Sequence, residues 1–197
     1  MPPQRKYYIV FAGINGAGKS TLYRSGLWHT PRFPAKMKRV NSDEILREFK
    51  GDWSSQSDQL RAMREAVKRI EECFDSSDSF NQETTLSGAK SMRDIKRALE
   101  KGYEVIMFYV GVDSPDIANN RIAHRVLMGG HSIEPEVVER RFEASLENLK
   151  AAVSLCDEVY LFDNTDEFSL VKIYKKGTIE YSRKSSRVAW MKRLDYS

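Results

Sequence analysis

The sequence predicts an α/β fold, a three-layer sandwich in which a parallel sheet of about five strands lies between helices. Short apolar runs alternate with longer amphipathic segments, and the first run leads directly into a glycine-rich loop. Strands are predicted at residues 8–12, 38–41, 79–85, 103–110 and 158–162. Helices are predicted at residues 19–27, 44–49, 57–74, 89–101, 116–127 and 135–153.

The first half of the chain supplies three of these strands. Residues 8–12 are apolar or aromatic throughout, as expected of a strand buried on both faces. A linker rich in proline and basic residues separates the first helix from the short strand at 38–41. Residues 79–85 are predicted as the third strand, although Asn81 and Gln82 are polar where a buried parallel strand prefers apolar side chains.

The second half begins with the clearest buried strand, residues 103–110. Gly102 ends the helix before it, and Pro115 begins the helix after it. Two helices then flank the sequence Met-Gly-Gly-His at residues 128–131, a glycine hinge with arginines on both sides. We therefore predict that residues 116–150, approximately, form a lid that closes over the site.

Length and composition favour one globular domain over residues 1–197, ending in a small hairpin and a basic tail at about 168–197. The net charge of +4 is a mild basic excess that suits phosphate-bearing small molecules and predicts no nucleic-acid partner. Two cysteines without metal-type spacing, and the lack of a long apolar segment, predict a cytoplasmic protein without a membrane partner.

Residues 13–20, GINGAGKS, fill every fixed position of the phosphate-binding pattern G-x-x-x-x-G-K-[ST]. Backbone N–H groups of such a loop surround the phosphates, Lys19 reaches the terminal phosphates and the hydroxyl of Ser20 ligates Mg²⁺. The sequence therefore predicts a nucleoside triphosphate and Mg²⁺ as ligands. The residues expected to contact the nucleotide are Gly13, Asn15, Gly16, Ala17, Gly18, Lys19, Ser20 and Thr21.

The neighbouring motifs favour a kinase over a GTPase or a motor ATPase. The guanine-binding pattern N-K-x-D is absent from the sequence. The strand at 103–110 is followed by Gly111 instead of a Walker-B aspartate, and Asp113 is expected to cap the next helix. A carboxylate at the end of the second strand, another at the end of the third, and arginines in a lid are typical of P-loop kinases.

Asp43 is the candidate base that accepts the proton of an acceptor hydroxyl. The alternative is that Ser42 or Asp43 caps the following helix. Glu83, with Thr84 and Thr85, is placed to bind hydroxyl groups of a substrate, and a surface salt bridge is the alternative for Glu83.

Four arginines are candidates for contacts with phosphate or substrate. Arg121 and Arg125 are four residues apart, hence on one face of a helix, and we expect them to reach the β- and γ-phosphates when the lid closes. Arg140 and Arg141 lie on the other side of the hinge. A solvated basic face is the alternative for any one of them.

Other conspicuous side chains are interpreted as packing residues. These are the three tryptophans and a helical stripe that contains Leu60, Met63, Val67, Ile70 and Cys73.

The sequence resembles the zeta toxin family of bacterial toxin–antitoxin systems, whose members are similar to chloramphenicol phosphotransferase and shikimate-type kinases. The matching segments are residues 13–22 (GINGAGKSTL), 41–45 (NSDEI), 83–88 (ETTLSG), 101–110 (KGYEVIMFYV), 121–131 (the RxxxR pair before GGH), 140–141 (RR) and 162–165 (FDNT). The resemblance implies a kinase that uses ATP and Mg²⁺ to phosphorylate the 3′-hydroxyl of UDP-N-acetylglucosamine, and an antitoxin as protein partner.

The resemblance also implies roles for individual residues. Asp43 would be the base, Glu83 the substrate-binding glutamate and Arg125 the first lid arginine. Asn164, in the segment 163–165, would lie near the adenine. The second lid arginine of the family has no match at residues 131–134, so Arg140 or Arg141 would take its role.

Two alternatives to a UDP-sugar kinase stay open. One is a phosphotransferase that acts on an antibiotic or another hydroxylated metabolite. The other is a nucleotide-gated protein that hydrolyses ATP slowly and binds a toxin–antitoxin partner.

Overall fold

The computed structural model describes residues 5–128, 130, 132–183 and 188–194. Its centre is a sheet with the strand order β2-β3-β1-β4-β5-β6-β7, in which the pairs from β2 to β5 are parallel and the last two pairs are antiparallel. The strands are β1 (Tyr7–Ala12), β2 (Lys38–Val40), β3 (Phe80–Thr84), β4 (Glu104–Gly111), β5 (Glu158–Asp163), β6 (Ser169–Lys175) and β7 (Thr178–Ser182).

This arrangement confirms the α/β fold with a mostly parallel sheet, but the prediction of about five strands was wrong. The sheet contains seven strands, because the C-terminal hairpin does not stand apart. Its strand β6 pairs antiparallel with β5, Glu158 facing Lys175, and so continues the sheet. That residues 1–197 form a single domain stays a prediction.

Seven helices connect or flank the strands in the described part of the chain: α1 (Lys19–Ser25), α2 (Ser42–Glu48), α3 (Gln56–Ser76), α4 (Ala89–Glu100), α5 (Pro115–Leu127), α6 (Pro135–Leu155) and α7 (Ala189–Lys192). Prolines occupy the first positions of α5 and α6, where their missing N–H groups cost no helical hydrogen bond. None of the described helices has the length and apolar character needed to cross a bilayer.

Helix α2 begins two residues earlier than predicted, and its cap is neither Ser42 nor Asp43. The side chain of Asn41 accepts hydrogen bonds from the backbone N–H groups of Asp43 (2.8 Å) and Glu44 (3.4 Å). Asn41 therefore caps the helix, and Asp43 lies in its first turn. The capping alternative for Asp43 was wrong, which leaves its carboxylate available for other contacts.

The two polar side chains of β3 are explained by their partners. Asn81 is buried and accepts a hydrogen bond from Arg39 at 3.2 Å. Gln82 accepts one from the hydroxyl of Tyr8 at 2.5 Å. Polar residues are tolerated inside this parallel sheet because each is satisfied by a neighbouring strand.

The two cysteines are packing residues, as predicted. Both are free thiols and both are buried. Burial raises the pKa of Cys73 to about 11 and that of Cys156 to about 12, so neither is a thiolate near neutral pH.

Helix α7 packs its Trp190 against the end of the sheet. The indole is 1% exposed, and a Cβ atom at Gly111 would lie 2.3 Å from the Cε2 atom of its ring. Its Nε1 donates a hydrogen bond to Asp163 at 2.9 Å. Asp113 accepts from the backbone N–H groups of Ala189 (2.7 Å) and Trp190 (3.2 Å), so its carboxylate caps α7. The expectation that Asp113 caps α5 was therefore wrong.

Replacement of this buried indole should destabilise the protein strongly. Trp190→Ala leaves a cavity beside Gly111 and removes the partner of Asp163, so we expect the free energy of unfolding to fall by about 3–5 kcal/mol. Urea denaturation measures this loss. The control Ile179→Ala, at a side chain that is 54% exposed, should change the free energy of unfolding by less than ~1 kcal/mol. Equal losses in both variants would contradict the packing role of Trp190.

Candidate active site

The carboxyl ends of β1, β2 and β3 meet at one edge of the sheet. Phe11 of β1 faces Glu83 of β3, and Val40 of β2 faces Gln82 of β3. The glycine-rich loop therefore begins beside Glu83, with Asp43 just past the end of β2. Parallel α/β sheets place their ligand sites at this edge.

The glycine-rich loop follows a path that requires glycine. Gly13 has φ +132°, and a Cβ atom there would lie 2.2 Å from the carbonyl oxygen of Val110. Gly18 has φ +113°, and a Cβ atom there would lie 2.5 Å from Nδ2 of Asn164. The side-chain amide of Asn164 donates a hydrogen bond to the carbonyl of Ala17 at 2.8 Å and so holds the loop in this conformation. A loop with this path can bring its backbone N–H groups close to phosphates.

Lys19 lies at the centre of the charges of the site. Its ammonium group is buried and donates to the carbonyl of Ile14 at 3.0 Å. Burial lowers the pKa of Lys19, and the carboxylates of Glu83 and Asp43 oppose that effect. Arg125 and Arg141 add to the lowering of this pKa. Four other predicted site residues, Glu83, Asp43, Arg125 and Arg141, thus lie within electrostatic range of Lys19.

Glu83 accepts hydrogen bonds from three other segments of the chain. The hydroxyl of Ser20 donates to its Oε1 at 2.8 Å. Arg39 and Asn41 each donate to its Oε2 at 2.8 Å. The carboxylate is therefore held with one oxygen towards the phosphate loop, which corrects the alternative of an exposed salt bridge.

The Ser20–Glu83 pair presents donor types that suit Mg²⁺. A hydroxyl and a carboxylate oxygen are the hard donors that Mg²⁺ prefers, and it takes its other ligands from phosphates and water. The described residues contain no group of three His, Cys, Asp or Glu side chains able to hold a metal ion alone. The sequence analysis expected a carboxylate at the end of the third strand and none directly after the strand at 103–110, where Gly111 stands. In the structure Glu83 of β3 faces Phe11 of β1, and β4 pairs with the other edge of β1.

Arg39 is the main site residue that the sequence analysis missed. Its guanidinium group donates to Glu83, to the Glu44 carboxylate at 2.8 and 3.0 Å, and to Asn81. It also stacks over the ring of Tyr23, 3.5 Å from the ring centroid. The feature of the sequence that could have indicated Arg39 is a basic residue on a short strand, together with the polar residues of the following strand, β3.

The two arginines of helix α5 differ in their contacts. Arg121 donates from Nη2 to the carbonyl of Thr165 at 3.1 Å, which ties the helix to the segment after β5. Within the described structure, Nη1 of Arg121 and both Nε and Nη2 of Arg125 are buried without a hydrogen-bond partner. Buried guanidinium donors without partners fit an anionic ligand. The backbone of Gly130 packs on Arg125, and a Cβ atom at Gly130 would lie 2.7 Å from its Cγ.

Helix α6 contributes one of its two adjacent arginines to the site. Arg141 donates to the side chain of Asn15 in the phosphate loop at 2.7 Å, and burial lowers its pKa. Arg140 is exposed and does not line the cleft. The hinge residues Gly129 and His131 lie outside the described residues.

Thr84 and Thr85 both line the cleft, but their hydroxyl groups also shape the turn after β3. The Thr84 hydroxyl lies 2.8 Å from that of Ser91 and accepts from the N–H of Leu86 at 3.1 Å. The Thr85 hydroxyl lies 2.8 Å from that of Ser87. The turn holds Leu86 at φ +56°, a conformation that is uncommon for a bulky residue and is often found at functional sites.

Part of this constellation lines a cleft of about 490 Å³, a size typical of small-molecule sites. Ser20, Arg39, Arg121, Arg125 and Asn164 are not among its lining residues. Lys19, Asp43 and Glu83 line one part of it. Residues of helix α3 form another part, which corrects the packing interpretation of the stripe on this helix. Ile70 and Cys73 are buried as predicted, but Met63 is 57% exposed and Val67 is 38% exposed, and both line the cleft. Of the tryptophans, Trp28 and Trp190 are buried, whereas Trp53 lines the cleft.

This fold and site define a P-loop, kinase-like nucleotide-binding domain. The model of the AAA_33 family, described as an AAA domain, matches residues 9–152, and the chain belongs to that family.

Known proteins are similar to this chain in sequence or in fold. An uncharacterized protein of Haemophilus influenzae is 31% identical over 134 residues, which are 68% of this chain and 91% of the relative. A chain of the AvrRxo1-ORF1:-ORF2 complex with ATP superimposes with a TM-score of 0.66 at 17% identity, covering 90% of this chain. This protein spans only 60% of the length of that chain.

A chain of the PezAT toxin–antitoxin system of Streptococcus pneumoniae superimposes with a TM-score of 0.60 at 14% identity, covering 98% of this chain and 77% of that one. Similarity at this level of identity shows the fold alone. Membership of the zeta toxin family therefore stays a hypothesis.

The Arg39–Glu83 pair should be energetically coupled. Both side chains are nearly buried, 10% and 11% exposed, so Arg39→Met leaves a carboxylate without its cation. We expect the free energy of unfolding, measured by urea denaturation, to fall by about 3–5 kcal/mol. Adding Glu83→Gln to Arg39→Met should restore ~1 kcal/mol or more, because the unpaired charge is removed. Strictly additive losses in the double variant would show that the pair is not coupled.

Proposed function

We propose that the protein is a phosphotransferase that moves the γ-phosphate of ATP to a hydroxyl group of a small molecule. The observation that carries this proposal is that Asp43 and Lys19 line one cleft. Within the described structure, the Asp43 carboxylate has no hydrogen-bond or ion-pair partner of its own. A lysine of the phosphate loop beside a free carboxylate is the combination that phosphoryl transfer to an alcohol needs.

In the proposed reaction the phosphate loop binds the triphosphate, and Lys19 and Arg125 stabilise the negative charge on the transferring phosphoryl group. Asp43 accepts the proton of the acceptor hydroxyl as its oxygen bonds to the γ-phosphorus, and the bond from that phosphorus to the bridging oxygen breaks to release ADP. Ser20 and Glu83 would hold Mg²⁺, which neutralises charge on the β- and γ-phosphates. Arg121 and Asn164 would position the nucleotide from the side of α5 and β5.

The acceptor has two candidates. The resemblance to zeta toxins favours a UDP-sugar such as UDP-N-acetylglucosamine, bound through Glu83, Thr84 and Thr85. The second candidate is an antibiotic or another hydroxylated metabolite, and the exposed apolar residues of α3 in the cleft favour it.

A protein partner is also proposed. The structural neighbour from Streptococcus pneumoniae belongs to a system whose name includes an antitoxin. An antitoxin that covers the nucleotide cleft is the corresponding partner for this chain. A purely nucleotide-gated binding protein, the remaining alternative, would have no need of the Asp43 carboxylate beside Lys19.

The direct test is to incubate the protein with γ-labelled ATP, Mg²⁺ and a bacterial metabolite extract, and to identify the labelled product by mass spectrometry. We expect a phosphorylated alcohol. Formation of labelled inorganic phosphate alone would contradict the proposal and favour a slow ATPase.

Lys19→Ala should abolish phosphoryl transfer. The ammonium group is the buried cation of the phosphate loop, and loss of such an electrostatic contact lowers kcat by about a hundredfold or more. Labelled-product formation measures the rate, and circular dichroism checks that the fold is retained. An unchanged rate would exclude the assigned role of the loop.

Asp43→Asn separates chemistry from structure. Because Asn41 caps helix α2, the fold and ATP affinity should persist, whereas loss of the proton acceptor should lower the rate of transfer by about 10²–10⁴-fold. ATP affinity is measured by calorimetry and the rate with labelled ATP. Asp52→Asn, at an exposed aspartate outside the cleft, is the matched control and should keep the full rate. A fully active Asp43→Asn variant would place the base elsewhere.

A further inference from the structure

The cleft has two chemically different parts. One part carries Lys19, Asp43 and Glu83. The other is an apolar wall, defined by its lining residues Leu46, Trp53, Ala62, Met63, Ala66 and Val67. Four of these six lie on one face of α3 at helical spacing, so the wall is a property of the helix surface and not of a single side chain.

Part of this wall is open to solvent. Met63 is 57% exposed and Val67 is 38% exposed, although each continues a stripe whose C-terminal half is buried. Removing such apolar surface from water is favourable, so a ligand that covers the wall gains affinity from it. The wall lines the same cleft as Asp43, so one small molecule can cover the wall and present a hydroxyl group to that carboxylate.

Few cations remain for a charged acceptor. Among the described residues that line the cleft, the cationic side chains are Lys19, Lys90 and Arg141. Lys90 forms hydrogen bonds of 2.7 and 2.8 Å to the Asp94 carboxylate, and Arg141 donates to Asn15 of the phosphate loop. Lys19 belongs to the proposed phosphate site.

We infer that the acceptor is an amphipathic alcohol without phosphate groups, whose apolar part covers the α3 wall while its hydroxyl group reaches Asp43. This inference rests on the proposed phosphotransferase function and specifies its substrate class. A nucleoside diphosphate sugar would place two negative charges in a cleft where, outside the phosphate site, Lys90 is paired with Asp94 and Arg141 is the one cation of the described lining without an ionic partner. Desolvation of charges that this single cation does not balance is costly. The reaction itself is unchanged: the acceptor oxygen gains the phosphoryl group, Asp43 takes the proton and ADP leaves.

Alkyl glucosides vary the apolar part while keeping one sugar head group. We would measure the binding of methyl, butyl and hexyl β-glucoside, below their micelle concentrations, to the protein loaded with Mg²⁺ and the non-hydrolysable analogue AMP-PNP. Each methylene that covers the wall should lower Kd about two- to fourfold. UDP-glucose, with a sugar of the same kind and two phosphates, should bind more weakly than hexyl glucoside.

Variants on α3 locate the effect. Met63→Gln and Val67→Thr replace exposed wall residues and should reduce the gain per methylene to less than about 1.5-fold. Leu60→Gln is the matched control, because Leu60 lies on the same helix, is 45% exposed and does not line the cleft. It should leave the gain unchanged. Met63→Lys should weaken hexyl glucoside and strengthen UDP-glucose.

Affinity that is independent of alkyl length, or UDP-glucose bound at least tenfold more tightly than hexyl glucoside, would overturn the inference. Either result would leave the proposed phosphotransferase function intact, because binding is measured with an analogue that cannot react. Failure of AMP-PNP itself to bind, or full activity of Asp43→Asn, would instead reject the proposed function.

Discussion

The carboxylate of Glu83 joins the parts of the site. It accepts hydrogen bonds from Ser20 at the start of α1, from Arg39 in β2 and from Asn41 at the cap of α2. A nearly buried carboxylate is stable only when it is paired and hydrogen-bonded, so these three segments have to meet at the end of β3. Because Asn41 also caps α2, the same contact sets the direction of the helix that carries Asp43. The Glu83 carboxylate and its hydrogen-bond donors therefore position both the phosphate loop and the proposed base.

Apolar interactions stabilise the centre of the sheet, and polar interactions dominate at its carboxyl edge. The strands β1 and β4 are buried and hold the sheet together through hydrophobic packing. At the carboxyl ends of the strands the interactions are polar. The arginine side chains there differ in whether their hydrogen-bond donors have partners. Each of the three nitrogens of Arg39 donates a hydrogen bond, whereas Arg125 has buried donors without partners in the described structure. Donors with partners give rigidity before a ligand arrives, and donors without partners keep affinity for an anion.

Several features of the site could be predicted from local sequence. The phosphate loop, the positions of Asp43 and Glu83 at strand ends, and the pair Arg121 and Arg125 on one helix all follow from patterns of residues a few positions apart. The role of Arg39, the pairing of Ser20 with Glu83 and the choice of Arg141 over Arg140 did not follow. These depend on which strands are neighbours and on which way a helix faces. The same holds for α3, where one apolar stripe is core at Cys73 and cleft wall at Met63.

By itself the sequence determined the alternation of strands and helices, the positions of the glycines in the phosphate loop, and the charged residues near that loop. These features depend on backbone preferences and on contacts within one turn of the chain. Only the tertiary structure decided that the C-terminal hairpin extends the sheet to seven strands, that Glu83 faces Ser20 from 63 residues away, and that the face of α3 opens onto the cleft. The physical reason is that strand order and side-chain pairing are set by contacts between segments distant in sequence, and local conformational propensity does not encode those contacts.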